Sequence, residues 1–219
     1  MKRLIFWGAT GQARVLYEAL QASDYRLIAT FDNRQVAPPL EGVPLLIGQE
    51  NFLTWLAEQN RDEEILFCVA IGGSRGSDRV QRQYWLRQQG LHPLTILHAR
   101  AFVAKTASVG AGSQVLAMAA VCANARIGEA TIINTAATVD HDCVLGDGVH
   151  VAPGAHLAGE IRVDDHAFIG MGALILPRLH IGRNAVVGAG SVVTRDVAPG
   201  GVVKGSPAKP VENNATPTS

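Results

Sequence analysis

The stretch Ile127-Gly-Glu-Ala-Thr-Ile-Ile133-Asn-Thr-Ala-Ala-Thr-Val139-Asp-His-Asp-Cys-Val-Leu145-Gly-Asp-Gly-Val-His-Val151 returns an aliphatic residue at every sixth place. Followed outward in both directions, the rhythm runs from Val103 to Val193, with Val, Ile or Leu at all sixteen positions. The residue two places earlier is Ala, Ser, Thr or Cys at thirteen of the sixteen, which leaves space for a crowded corner. A period of six suits neither a helix face nor a simply alternating strand; it marks a β-helix in which each hexapeptide forms one short flat side. Three sides close a triangular coil. Stacked coils bring like residues above one another at ~4.8 Å, so Val and Ile ladders fill the interior while backbone groups pair between coils. Sixteen hexapeptides make about five such coils, more than the three repeats a stacked core needs. A Gly follows the aliphatic residue at Val109, Ile127, Leu145, Ile169, Ile181 and Val187, and Gly or Asn is expected to relieve the turns.

The repeat occupies only the second half of 219 residues, so two domains are expected, residues 1–96 and 97–219. In the first, the period changes. Arg3 to Trp7 reads as a buried strand, Gly8 to Ala13 as a tight turn and Arg14 to Gln21 as a helix with Val15, Leu16, Ala19 and Leu20 on one face. Strands follow at Arg26 to Phe31, Leu45 to Ile47 and Ile65 to Ile71, with helices at about Gln49 to Gln59 and Asp78 to Gln89. Gly90 and Pro93 then lead to the repeat. This alternation predicts a Rossmann-like α/β domain with a parallel sheet, its ligands beyond the carboxyl ends of the strands.

Nineteen Lys and Arg balance nineteen Asp and Glu, so no basic face points to nucleic acid. The apolar run Leu4 to Trp7 is too short for a membrane span or a signal peptide. Cys68, Cys122 and Cys143 match neither a disulfide framework nor a zinc spacing, which favours a reducing cytoplasm.

Two regions carry candidate chemistry. In the first domain, Gly8 and Gly11 allow a phosphate to approach the backbone at a helix start. The pattern Gly8-x-x-Gly11-x-Ala13 is an incomplete dinucleotide fingerprint. Asp32, twenty-one residues after Gly11, is placed either to meet a ribose hydroxyl or to cap its own turn. Gly72 and Gly73 end a further strand on the same edge.

In the repeat, five of the seven histidines fall at 141, 150, 156, 166 and 180. His141 stands between Asp140 and Asp142, two places past Val139 and hence at a turn. An imidazole with a carboxylate to fix its tautomer suits a general base, the group that acyl transfer to an amine or hydroxyl needs; a solvated polar triplet at a corner is the other reading. His150 lies half a coil further on, so the two could meet only across a subunit boundary, as in a C3 trimer. His156 and His180 share the place of His150 in the repeat and have no neighbouring carboxylate in the chain. A zinc site built on His150 and His156 lacks a ligand motif. Glycines and alanines of the last coils could admit an extended cofactor arm, with Lys204 and Lys209 near its phosphates; a tail that caps the solenoid is the alternative.

The turn Gly8-Ala-Thr-Gly-Gln-Ala-Arg14, the strand end Asp32-Asn33, Val69-Ala-Ile-Gly72, the segment Asn134 to Cys143 and the tail Gly205-Ser-Pro-Ala-Lys209 together resemble the bacterial sugar acetyltransferases. That group includes nucleotide-amino-sugar N-acetyltransferases of the bacillosamine and perosamine types and sialic-acid O-acetyltransferases. The resemblance covers nearly the whole chain and implies that the β-helix is left-handed. It implies a homotrimer that moves acetyl from acetyl-CoA to the amine of a nucleotide-linked 4-amino sugar without a metal. By the same resemblance His141 is the general base and Asp142 its modulating acid, while Asn134 and His150 line the acceptor or thioester site. The nucleotide would lie against Gly8, Thr10, Gly11, Asp32, Asn33 and Gly72. CoA would run along Gly170, Gly172, Gly188, Ala189 and Pro207. The family's first turn often carries His and Gly where this chain has Gln12 and Ala13.

Overall fold

The structure, a computed structural model, describes residues 1–21, 23–60 and 63–211. Five parallel strands open the chain: β1 (Lys2–Trp7), β2 (Tyr25–Asp32), β3 (Leu45–Ile47), β4 (Ile65–Val69) and β5 (His92–Pro93), in the order β3-β2-β1-β4-β5. Three helices connect them: α1 (Gly11–Ala19), α2 (Gly48–Ala57) and α3 (Gly76–Gln88). This is a Rossmann-like sheet, and its strands read as continuous apolar runs because both faces are covered. Ile5 and Trp7 of β1 pack with Phe31, Phe52 and Leu86 beneath α2 and α3. Leu4 and Phe6, on the opposite face, pack with Ala13 and Leu16 of α1 and with Ile96, Leu116 and Ile132 of the repeat. One wall of the solenoid thus takes the place of a helix layer.

Several details differ from the sequence expectation. Val15, expected on the apolar face of the first helix, is exposed, and that helix ends at Ala19 instead of Gln21. α1 begins at Gly11, three residues before Arg14, because the turn needs only Gly8 to Thr10 and Gly11 is already its first helical residue. β5 comes from the stretch Gly90 to Pro93 expected as connection; Pro93 sits on this edge strand, where its missing N–H costs no ladder bond.

From Ile96 onward the chain is a left-handed parallel β-helix. Its two-residue strands fall into a six-stranded, a five-stranded and an eight-stranded wall. Partners in neighbouring coils lie eighteen residues apart, as in Ala120 with Thr138 and Val121 with Val139. The second residue of each pair points inward, so Val121, Ile127, Ile133, Val139 and Leu145 share one buried core with the small residues Ala119, Ala125, Ala137 and Cys143. Asp142 illustrates how the corners bond: at φ 59° its N–H reaches the Ala123 carbonyl of the coil before it at 2.9 Å.

The turns do not follow the expectation for Gly and Asn in full. Met118, Ala130, Ala136, Glu160, His166 and Arg178 also take left-handed φ. Each such residue costs about 1 kcal/mol, which for Ala130, Ala136, Glu160, His166 and Arg178 a backbone bond to the preceding coil offsets. The glycines after the aliphatic residues serve a different purpose. A β-carbon on Gly128 would lie 2.5 Å from the carbonyl carbon of Gly146 in the next coil, so stacking distance is what requires glycine there. After Val193 the spacing shortens: Val186 pairs with Val202, and the antiparallel strand Lys209–Pro210 covers the end of the eight-stranded wall. That places Lys204 and Lys209 in a terminal cap.

Arg79 of α3 bolts the first sheet unit to the solenoid. Its side chain is wholly buried, with Nε 2.6 Å from the Ala130 carbonyl, one terminal nitrogen 2.8 Å from that of Ile71 and the other 2.7 Å from that of Gly148. Burial lowers its pKa to about 10, opposed by the charge of Asp78, so it remains a cation at neutral pH.

Candidate active site

β1 ends at Trp7 and the chain turns at Gly8 with φ +109°. A β-carbon there would collide with the Ala70 carbonyl, so the approach of the β1 and β4 ends requires glycine. The Ala9 N–H donates to Asp32 Oδ2 at 3.0 Å, while the Arg34 N–H and Nε reach Asp32 Oδ1 at 3.0 and 3.3 Å. Burial pushes the Asp32 carboxyl up, but the N–H groups of Arg34 and Ala9 outweigh it and hold it below the ordinary carboxylate range. Of its two sequence readings, the turn cap is the one these bonds fulfil.

Strand order reverses between β1 and β4, and a crevice of about 360 Å³ opens beyond their carboxyl ends. Gly8, Thr10, Gly11, Asp32, Asn33 and Gly72 line it, and His150 enters from the β-helix. The first turn of α1 forms part of the wall, and the unpartnered N–H groups of a helix start favour an anion. Gln12, Arg34, Gly73 and Arg75 line it as well; Gln12 and Gly73 fall in the turn and the strand end singled out in the sequence, whereas no motif marks Arg34 and Arg75.

His150 is 5% exposed and sits on the wall that meets the first unit. Its Nδ1 lies 3.1 Å from the Gly73 carbonyl, which can only accept, so Nδ1 carries the proton. Its Nε2 then accepts from Asn134 Nδ2 at 3.1 Å, and Asn134 Oδ1 is held by the Thr135 N–H at 2.8 Å. Burial, helped by the charge of Arg79 and opposed by the Gly73 bond, lowers the His150 pKa to about 4. Both nitrogens are thus engaged on a neutral ring.

His141 lies elsewhere, in the turn between Thr138–Val139 of the six-stranded wall and Val144–Leu145 of the five-stranded wall. Its Nδ1 is 2.8 Å from Asp142 Oδ2, and Asn124 Nδ2, from the preceding coil, donates to Asp142 Oδ1 at 3.0 Å. The ring is half-exposed and lies over Gly159 of the next coil, where a β-carbon would come 2.5 Å from its Cε1. The bond to Asp142 raises the His141 pKa against the opposing effect of burial, and the charges of Asp140, Asp142 and Glu160 add to the rise; the same contact lowers that of Asp142. Nδ1–H directed at the carboxylate leaves the Nε2 lone pair for proton transfer.

Replacing Asp142 with Asn is therefore expected to bring the His141 titration midpoint down toward 6.5, its ordinary value. Ring NMR through a pH series reads this directly; an unmoved midpoint would mean that the carboxylate does not set it. The position of Asn124, eighteen residues before Asp142, is a signal that the coil register alone could have supplied.

His141 and His150 thus occupy different edges of one prism. His180, expected without a carboxylate, does have one: its Nε2 is 2.8 Å from Asp164 Oδ2, sixteen residues back in the coil below. Adjacency along the chain could not reveal that pair. Among the described residues, no group of three or more His, Cys, Asp or Glu side chains is placed to hold a metal ion. No described helix is long and apolar enough to cross a membrane.

Of the residues expected along CoA, Gly172 and Ala189 are exposed at one corner and Pro207 is exposed in the cap, where the Lys204 Cβ lies 3.0 Å from a β-carbon built on half-buried Gly188. Gly170 is not at an exposed edge. It is buried, and a β-carbon on it would lie 2.7 Å from the Ala189 nitrogen, so stacking against the next coil requires glycine there.

Residues 3–84 match the family described as PglD N-terminal domain, and residues 160–195 match bacterial transferase hexapeptide (six repeats). A variant of perosamine N-acetyltransferase from Caulobacter crescentus, in complex with CoA and GDP-perosamine, is 34% identical; the match covers 97% of this chain and 98% of that one, with TM-score 0.86. The acetyltransferase domain of PglB from Neisseria gonorrhoeae, in complex with acetyl coenzyme A, is 32% identical over 96% of this chain and 99% of that one, with TM-score 0.84. WeeI from Acinetobacter baumannii is 27% identical over 96% of this chain and 100% of that one, with TM-score 0.82. A comparison with curated proteins returned no match.

Proposed function

The chain belongs to the family of hexapeptide-repeat sugar acetyltransferases, and we propose that it acetylates the amino group of a nucleotide-linked 4-amino sugar with His141 as general base. As an acyltransferase of this family it uses acetyl-CoA as co-substrate. Residues 1–96 hold the nucleotide sugar in the crevice at the β1 and β4 ends, and residues 97–219 carry acetyl-CoA and the base; positions 212–219 lie outside the described residues.

The observation that carries this reading is the His141–Asp142 pair, its Nε2 turned away from the carboxylate at a solvent-open corner. Nε2 takes a proton from the amine as the nitrogen lone pair attacks the thioester carbonyl carbon. The C–N bond forms, the C–S bond breaks with its electron pair on sulfur, and the imidazolium returns the proton to the departing thiolate.

His141 sits on an edge away from the crevice of its own chain, so the acceptor meets it where protomers join, in a homotrimer with C3 symmetry. CoA follows the corner with Gly172, Gly188 and Ala189 toward Pro207. The thiols of Cys68, Cys122 and Cys143 are free, which suits work in the cytoplasm.

The test is to offer acetyl-CoA with GDP-perosamine, with a UDP-linked 4-amino sugar and, separately, with free and activated sialic acid, following thiol release and product mass. An acetamide on an amino sugar is expected. Turnover of sialic acid alone would overturn the amine assignment and leave an O-acetyltransferase.

A further inference from the structure

One polar relay fixes the hydrogen-bonding character of the crevice wall. It starts at the Val69 carbonyl at the end of β4, which can only accept. Gln114, fully buried on the solenoid wall, donates its Nε2 to that carbonyl at 2.9 Å. Its Oε1 must then face the other way, and Gln12 Nε2 donates to it at 2.7 Å. The second step leaves Gln12 no choice either: its Oε1 faces the crevice, 3.6 Å from the position a β-carbon on Gly72 would take. Among the described residues no donor meets that oxygen. His150, on the same wall, has both nitrogens engaged and offers no competing group.

A lone acceptor held in one orientation discriminates by chemistry. Phosphate oxygens are acceptors and cannot satisfy it, whereas a hydroxyl or amine of the sugar can; the ribose hydroxyls and base N–H groups, also donors, are present in the free nucleoside diphosphate as well, so comparing the two ligands separates them from the sugar. A bound molecule without a donor at that point leaves two acceptors facing each other.

We infer that Gln12 is a specificity-determining residue whose Oε1, oriented by Gln114 and the Val69 carbonyl, accepts a hydrogen bond from a hydroxyl or amine of the bound sugar. This rests on the reading that the crevice takes a nucleotide-linked sugar. The role belongs to the amide polarity: the side chain reads the sugar and leaves the diphosphate to the first turn of α1.

Gln12→Met, which keeps the length of the side chain and removes the acceptor, separates these contributions. Calorimetry with GDP-perosamine against GDP, and with a UDP-linked 4-amino sugar against UDP, should show about a tenfold weaker affinity for the sugar nucleotide. Affinity for the free nucleoside diphosphate should stay within about twofold. Repeating the comparison with the 4-deoxy counterpart of the sugar, which has no donor at that carbon, identifies the donor: a penalty that persists assigns a hydroxyl elsewhere on the ring, and one that disappears assigns the amine.

Equal losses for the sugar nucleotide and the nucleoside diphosphate would overturn the proposal, since Gln12 would then act on the loop or the phosphates. An unchanged affinity for the sugar nucleotide would overturn it as well. Failure of the unsubstituted protein to bind any sugar nucleotide would instead bring down the reading of the crevice, and this proposal with it. Gln114→Met supplies a second check. With Gln12 free to turn its amide, the difference in affinity between sugar nucleotide and nucleoside diphosphate should shrink while the diphosphate still binds; a difference that stays at its original size counts against the relay.

Discussion

His141→Ala is expected to lower kcat for acetyl transfer by about a hundredfold to ten-thousandfold, the range a positioned general base contributes. The fold should tolerate the change. The ring is half-exposed at a coil corner, and the backbone bonds there, from the His141 N–H to Asp140 Oδ1 and from the Glu160 N–H to the His141 carbonyl, survive truncation. Nucleotide binding should also survive, because the crevice of the same chain is lined by other residues. Thiol release at saturating acetyl-CoA and acceptor measures the first effect, and the thermal midpoint checks the second. Undiminished thiol release with an intact fold would remove His141 from the base role. The effect should exceed that of Asp142→Asn, which leaves the imidazole in place and alters only its tautomer and basicity.

The second large effect is on stability. Arg79→Met keeps most of the buried stem of the side chain and removes the donors that serve the carbonyls of Ile71, Ala130, Gly148 and Val149. Leaving a buried acceptor unsatisfied costs about 1–3 kcal/mol. With partial relaxation a total loss of about 3–5 kcal/mol is expected, and a fall of roughly 10 °C in melting temperature for a chain of this size. Because the Ile71 carbonyl leads directly into Gly72 and Gly73, the KM for the nucleotide sugar should rise as well. Differential scanning calorimetry and urea titration measure the loss; an unmoved midpoint would show that these carbonyls find other donors. Arg79→Lys should retain only part of the stability, because a single ammonium cannot serve carbonyls arranged around a planar guanidinium.

Much of the architecture was legible because it is periodic. An inward side chain every sixth residue is a local requirement of a three-sided coil, and each repeat states it again. The Rossmann-like unit was legible for a related reason: strands buried on both faces leave apolar runs, and their ends are punctuated by Gly8, Asp32 and Gly72. The glycines were harder to read. One type of residue serves two purposes in the coils, left-handed turns as at Gly172 with φ +66° and close stacking as at buried Gly170, and the purpose of each place in the register became visible only in the fold.

The site divides in the same way. His141 and Asp142 are neighbours in the chain, so their pairing could be read directly. Asn124 lies one coil of eighteen residues before Asp142, so the register offered that pair, but His180 with Asp164 and Gln12 with Gln114 lie 16 and 102 residues apart, and no pattern of residue types marks them. Arg79 carried no signal at all, since an arginine on a helix reads as a solvated charge until a second unit covers it. Sequence alone determined the repeat, the two-unit plan and the His-acid pair, because each depends on residues close together along the chain. The coil register already put His141 and His150 on different edges; only the tertiary structure decided that His150 is a neutral, fully bonded ring and that Gln12 faces the crevice as an acceptor. Those properties arise where one unit's carbonyls and amides meet the other's, and hydrogen-bond polarity there is set by partners distant in sequence.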